Sequence, residues 1–245
     1  FEPSKWAAEA EEQLSPAYQQ GQQEINQAKG AWDVTKGYLT HPRQLAGLIS
    51  EAVPMTAAAA LTGGADEVPS IANLNTSYGY FANADDVDIS LVITGGANTV
   101  VQQYVIDNIA GTRKDCVAFV SPPSAAVVNQ YGNEAANILA WNTTLARSSS
   151  YAVADSGWKY MFDKYNNIYR YVPLNGDVAG LCVNTDTVRD PWFSPAGFNR
   201  GNVKNVVRLA YNPTKTDRDN LYAVGINPVV SFPGQGIVLY GDKTL

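Results

Sequence analysis

The sequence is poor in the side chains that most chemistry needs. It holds a single histidine, His41, in 245 residues. Any Ser-His-Asp or Cys-His site would have to use it. It lies in Leu39-Thr40-His41-Pro42-Arg43, a helix boundary with no nucleophile elbow nearby, and reads as a surface or capping histidine. There are two cysteines, Cys116 and Cys182, far apart and inside apolar runs. They read as reduced thiols that pack as small hydrophobes, because a disulfide framework or a zinc site wants other spacings or more partners. Charged residues make up only 16 %, which leaves much neutral surface and suits life inside an assembly. Basic residues are the scarcer sign, 17 against 23, for a net charge of −6. That argues against a nucleic-acid-binding domain, which needs a basic face to displace counterions, and it disfavours an anionic membrane surface. No window approaches the roughly 18 apolar residues of a membrane helix, so no membrane insertion is expected. The start, Phe1-Glu2-Pro3-Ser4-Lys5, lacks the charged and apolar regions of a signal peptide.

What is present is a globular composition, 45 % hydrophobic, and enough length for one large domain or two small ones. Composition shifts near Gly63-Gly64. Upstream, residues 1–60 are rich in Ala, Gln and Glu, with helix-favouring runs such as Trp6–Leu14. Pro16, Pro42 and Pro54 and several glycines break them into short pieces. Their apolar positions are sparse, which predicts a helical arm that docks on something else. Thr62-Gly63-Gly64-Ala65-Asp66 reads as a linker.

Downstream the pattern turns α/β. Val87–Ile93 begins with alternation and ends as an apolar run, as a buried strand does. Thr94-Gly95-Gly96 forms a turn, and Asn98 or Thr99 caps a helix that ends near Arg113 and Lys114. Cys116–Val120 is a second strand. Strand, helix, strand at this length is a βαβ unit with a right-handed parallel crossover. A helix over 134–147 is predicted with Ala136, Leu139, Ala140 and Thr143 on one face. Tyr151–Asp155 reads as a strand. Trp158–Phe162 and Ile168–Val172 form a hairpin about Asp163–Asn167. Asn175-Gly176-Asp177 opens a helix carrying Val178, Leu181, Cys182 and Thr185, stopped by Asp190-Pro191. Asn202–Tyr211 reads as a strand, and Thr216–Gly225 as a short helix. Val229–Phe232 and Ile237–Tyr240 form a closing hairpin. The predicted fold is α/β (α+β): a mixed sheet with a βαβ unit and β-hairpins flanked by helices, plus the N-terminal helical arm.

Three constellations invite chemistry. Asp85, Asp86 and Asp88 offer oxygens to a hard cation, but without the glycine and distal glutamate of a calcium loop. Thr94–Asn98 joins a strand to a helix N-terminus, the geometry of a phosphate cradle. It lacks the Lys-Ser/Thr of a P-loop and the dinucleotide spacing. Asp155, Asp163, Asp177 and Asp186 include candidates for a hydrolytic carboxylate pair, though acids beside turns and caps are expected without catalysis. None of these sums to an active site, so no catalytic residue, metal or cofactor is assigned. The alternative is an α/β enzyme or nucleotide- or ligand-binding module that uses the Gly95-Gly96 turn.

A further series is more specific. Tyr171-Val172-Pro173-Leu174-Asn175-Gly176-Asp177-Val178-Ala179-Gly180 is followed by Val188-Arg189-Asp190-Pro191-Trp192-Phe193-Ser194-Pro195-Ala196-Gly197-Phe198-Asn199-Arg200-Gly201. Then come Gly225–Val230 and Gly234–Asp242. In order, spacing and loop chemistry this series resembles the tail sheath proteins of contractile-tailed phages, and the resemblance extends back to about Leu61. It implies a structural virion subunit and not an enzyme. Such subunits form stacked six-membered rings around a tail tube and contract to drive the tube through the host envelope. The implied partners are other copies of the chain, the tube protein, and baseplate and tail terminator proteins; the implied place is the virion tail, after assembly in host cytoplasm. The expected domains are the arm, 1–60, and a sheath-like core, 61–245. Family members continue past Gly241–Leu245 into a further C-terminal domain, which this chain is expected to lack. Within the matching block, Trp192 and Phe193 carry large apolar area, Arg189 and Arg200 can fork onto carboxylates, and Gly197 and Gly201 permit a tight loop around Phe198. For the two rings, core filling and subunit contact are both open. Arg189, Trp192, Phe193, Phe198 and Arg200 are therefore the candidate subunit contacts.

Overall fold

The structure, a computed structural model, describes residues 69–245. The helical arm, His41 and the 62–66 linker lie outside the described residues. The chain divides into two compact units, Phe1–Pro69 and Ser70–Leu245, and the second is described here.

A parallel sheet forms its centre, in the order β1 (Leu91–Ile93), β2 (Val117–Val120), β3 (Ala152–Asp155) and β7 (Ile226–Asn227). The predicted βαβ unit is there. Helix α2 (Thr99–Val105) is capped by Asn98, whose side chain accepts from the Val101 N–H. It passes through a π-helical turn (Ile106–Ala110) into α3 (Gly111–Arg113), and Lys114 closes it at φ 60°. Side chains alternate between the two faces along β2. Ala118 and Val120 face a cluster with Val101, Val105, Ile109, Ile138 and Leu145. Phe119 faces the other way, onto Leu174, Val178, Val229 and Leu239. Both faces of the sheet are thus covered, as parallel sheets require.

The antiparallel strands sort into two separate sheets. Hairpin β4 (Trp158–Asp163) and β5 (Ile168–Pro173) pair along their whole length, and the short β6 (Arg208–Leu209) lies on the other edge of β4. Strands β8 (Val229–Phe232) and β9 (Gly236–Leu239) form the closing hairpin. Helix α1 (Ile71–Gly79) precedes β1, α4 (Ser124–Val127) and α5 (Glu134–Leu145) follow β2, α6 (Asn175–Val188) follows β5, and α7 (Lys215–Ala223) precedes β7.

Four expectations need correction. The first strand is short. Its partner β2 begins at Val117, so nothing pairs with Val87–Ile89, and the Phe81 and Val87 carbonyls accept from Arg113 Nη1 instead. Residues 202–211 are not one strand. Val203 N–H bonds Ile237 on β9, Asn205 turns at φ 50°, and Val207 N–H then bonds Tyr160 on β4. Helix α5 buries Ile138, Trp141 and Leu145, while Ala136, Ala140 and Thr143 are exposed; the largest side chains take the core and the small ones yield. Helix α6 ends at Val188, with Arg189 as its cap, before Asp190-Pro191 is reached.

Candidate functional site

The loop between α6 and β6 holds all five candidate contacts. It is stitched to β9. Gly197 N–H donates to the Leu239 carbonyl at 2.9 Å, Leu239 N–H to Gly201 at 2.8 Å, and Gly201 N–H to Gly197 at 2.7 Å. Gly197 sits at φ 88°, a left-handed conformation that costs glycine little. This lacing fixes the loop base and holds its aromatics outward. Trp192 is 79 % exposed and Phe193 41 %, with ring centroids 6.5 Å apart. Core filling is therefore excluded for both rings within the described unit. A ring of this size can bury roughly 200 Å². At about 25 cal/mol per Å², covering it is worth on the order of 4 kcal/mol before ordering costs.

The arginines do not fork onto carboxylates among the described residues. Arg200 Nε donates to the Ser194 carbonyl at 2.7 Å, and its guanidinium lies 5.5 Å from the Phe193 ring centroid. Arg189 is exposed at the end of α6. Arg200 thus spends its guanidinium on a carbonyl and a π-face of its own loop. Phe198 packs on Phe232 at 5.2 Å and Tyr240 at 5.9 Å, and Arg218 covers the same two rings. The loop thus presents two aromatic groups, one nearly free and one braced. Beside it a cleft of about 410 Å³, lined by Asp177, Asn184, Arg200 and Lys204 among others, separates the loop from α6.

The other end of the molecule was the candidate for chemistry, and it is plugged. Polar groups stand at the C-terminal ends of the parallel strands: Thr94 after β1, Ser121 after β2, Asp155 closing β3, Asn227 closing β7. All are buried and bonded to one another's elements. Ser121 Oγ donates to Asp155 Oδ2 at 2.6 Å and accepts from Asn175 N–H at 3.1 Å. Gly157 N–H donates to Asp155 Oδ1 at 2.8 Å. Asn175 Nδ2 donates to the Gly95 carbonyl, and Thr94 Oγ1 to the Phe119 carbonyl. Gln102 Nε2 bonds the Ser121 carbonyl and its Oε1 accepts from Trp141 Nε1. Over Gly95-Gly96, where a ligand would sit, the Trp158 ring approaches so closely that a Cβ on Gly96 would lie 3.1 Å from it. Trp158 borders the turn at Gly96, which is itself exposed, while nothing lies within 4 Å of a Cβ on Gly95; the part that the protein fills is the row of buried polar groups at the strand ends beneath it. Sequence reasoning missed this network, although a polar residue directly after each apolar strand is a visible signal.

The carboxylates separate by role. Burial pushes Asp155 up to about 7 against the opposing hydrogen bonds from Ser121 and Gly157. Asp177 is also raised by burial, which outweighs its 2.7 Å ion pair with the buried Lys159. Asp163 is held low by Asn166 and the turn amides, and it pairs with Arg170 at 3.0 Å. Asp186 is exposed. Asp85, Asp86 and Asp88 are exposed on one loop, where Asp86 accepts from Asn83 Nδ2. Among the described residues no group of three His, Cys, Asp or Glu side chains is placed to hold a metal. Cys116 is a buried free thiol and Cys182 a half-buried one, and burial raises both.

A family model described as the phage tail sheath protein central domain matches residues 55–245. The tail sheath protein of Vibrio phage KVP40 is 51 % identical over 175 residues, covering 63 % of this chain and 26 % of that protein. The tail sheath protein of Enterobacteria phage T4 is 40 % identical over 188 residues, covering 70 % of this chain and 28 % of that protein. The chain thus spans about a quarter of the length of these relatives. The helical sheath of the anti-feeding prophage in its contracted state shares the fold, with a TM-score of 0.51 at 17 % identity over 71 % of this chain and 44 % of that one. The chain belongs to the phage tail sheath protein family.

Proposed function

We propose that the chain is a structural subunit of a contractile phage tail sheath, acting through surfaces and not through a catalytic site. Its copies stack as six-membered rings around the tail tube, and contraction of the stack drives the tube through the host envelope. The tube protein, the baseplate and the tail terminator are its partners. It assembles in host cytoplasm and resides in the virion tail. The unit 61–245 is the sheath-like core, and 1–60 an arm that docks on a neighbour.

One observation carries this reading beyond the family match: the exposed Trp192-Phe193 pair on a loop base fixed by backbone hydrogen bonds. Trp, Phe and Arg side chains held outward on a rigid support are what subunit contacts are made of. A nearly rigid subunit that exchanges neighbours stores energy in interfaces. The plugged C-terminal end of the parallel sheet argues in the same direction, since that crevice is where α/β enzymes bind ligands.

Electron microscopy of the purified protein tests it. Rings or tubes are the expected result, and Trp192→Ser is expected to dissolve them without changing the melting temperature. Persistent rings in that variant would remove the loop from the contacts. A specific turnover lost on Asp155→Asn or Asp177→Asn would overturn the structural assignment.

A further inference from the structure

The β4–β5–β6 sheet has one face that its own unit leaves open. Cross-strand register places Tyr160 opposite Tyr171 and Arg208, and Phe162 opposite Tyr169. Directly opposed residues share a face, so four aromatic rings and one guanidinium line up together. Tyr160 stacks on Tyr169 at 5.5 Å and lies 4.8 Å from Tyr171, and Phe162 is 5.0 Å from Tyr169. Arg208 sits over Tyr160 at 4.8 Å and donates to the Tyr171 hydroxyl at 3.1 Å. Tyr169 is 54 % exposed, Phe162 37 %, and Arg208 is exposed. On the opposite face of the same sheet the cations already have partners: Lys159 is buried on Asp177, and the exposed Arg170 pairs with Asp163. Arg208, in contrast, has no carboxylate partner among the described residues.

Charge is divided along the chain. Between residues 69 and 156 anionic side chains outnumber cationic ones seven to three, while between 157 and 212 cationic ones lead seven to four. The densest anionic stretch is the loop with Asp85, Asp86 and Asp88, all exposed and without an ion-pair partner among the described residues. That loop precedes the N-terminal end of β1, whereas β4 leaves the C-terminal end of β3 through Ser156-Gly157. The two strands run parallel, so the two surfaces lie toward opposite ends of one body.

We propose that the aromatic face built by Tyr160, Phe162, Tyr169, Tyr171 and Arg208 docks on the Asp85–Asp88 loop of a second copy of this chain. The inference rests on the subunit reading above and names a contact for it separate from the Trp192 loop. Such a contact is heterologous, head to tail, and therefore propagates into rings or helices and not into closed dimers. Tyrosine and arginine are the residues that dominate such patches. A guanidinium already stacked on two rings loses little freedom when a carboxylate arrives.

Sedimentation velocity over a concentration series tests it, using the 245-residue chain. Arg208→Glu is expected to weaken self-association at least tenfold with an unchanged melting temperature, and Tyr169→Ala to do likewise. Adding Asp85→Lys and Asp86→Lys to the Arg208→Glu chain is expected to restore association, because the charges are then exchanged. Wild-type-like association of Arg208→Glu, or no recovery in the triple variant, overturns this surface while leaving the subunit reading in place. A wild-type chain that stays monomeric at every concentration overturns both.

Discussion

Replacing Asp155 with asparagine should change how stability depends on pH more than how stable the protein is at any single pH. Asp155 is 1 % exposed, and burial raises it from 3.8 to about 7. The folded state therefore holds this proton roughly a thousandfold more tightly than the unfolded chain, a difference on the order of 4 kcal/mol. Below the ordinary value both states carry the proton and the burial costs nothing. As pH rises toward 7, the unfolded carboxylate ionises freely while the folded one resists, so stability falls across that window and levels off above it. An amide at 155 keeps the Gly157 N–H bond. It costs the Ser121 donation, about 1 kcal/mol at every pH. Asp155→Asn is then less stable than wild type near pH 4 and more stable near pH 8, with the two curves crossing between. Carboxylates such as Asp115 and Asp163, which are held low and push the other way, cancel in the difference between the two proteins. Urea titrations at half-unit pH steps measure that difference directly. Parallel curves for the two proteins would refute the assignment of a buried, reluctant carboxylate at this position.

Three other substitutions test separate parts of the structure. Lys159→Ala should cost about 2 kcal/mol in chemical denaturation, since it takes the buried ammonium from the half-buried Asp177; a loss under about 0.5 kcal/mol would mean that water from the cleft replaces the ammonium. Gly201→Ala should lower stability by roughly 2 kcal/mol, because its Cβ would lie 2.7 Å from the Leu239 carbonyl and 2.9 Å from Gly197 backbone atoms, none of which can move aside. Thr214→Ala should cost about 1 kcal/mol at neutral pH by removing the capping box with Asp217. The Thr214 hydroxyl holds the Asp217 carboxyl low, a contribution present above the ordinary carboxylate range and lost as pH falls, so the Thr214→Ala deficit should shrink in acid when followed by thermal melts.

Much of the architecture could be read from local chemistry. Strands β2 and β3 are short apolar runs between turn residues. The β4–β5 hairpin follows from the Asp163–Asn167 turn, where the Asp163 side chain accepts from the next amides. The sequence predicts helix α7 from Thr216, and the Thr214–Asp217 capping box starts it one residue earlier, at Lys215. What could not be read depended on distant partners. Whether Val87–Ile89 extends a strand is decided by where β2 begins, thirty residues later. The break at Asn205 answers to two sheets competing for one segment. Which face of α5 is inner depends on Trp141 finding Gln102 across the core. At the candidate site the family resemblance singled out a loop whose Trp192 and Phe193 the structure leaves exposed. Exposure ruled out core filling for Trp192 and Phe193 within the described unit, and no local pattern carries that information. The aromatic face of β4 and β5 stayed hidden because alternation tells which residues share a side, and not whether that side is covered.

The plug at the C-terminal ends of the parallel strands has a mechanical side. Between β3 and β4 there are only Ser156 and Gly157. Ser156 Oγ is bonded by the Val229 N–H at 2.9 Å, and Gly157 sits at φ 151° with Val127 3.0 Å from where a Cβ would be. The junction has no slack to swivel, and Asp155, Ser121 and Asn175 tie it to three elements at once. A force applied to the β4–β5 hairpin therefore passes into the central sheet as it would through a welded bracket. The hairpin is a lever without a pivot, and any large movement it makes must carry the whole body with it.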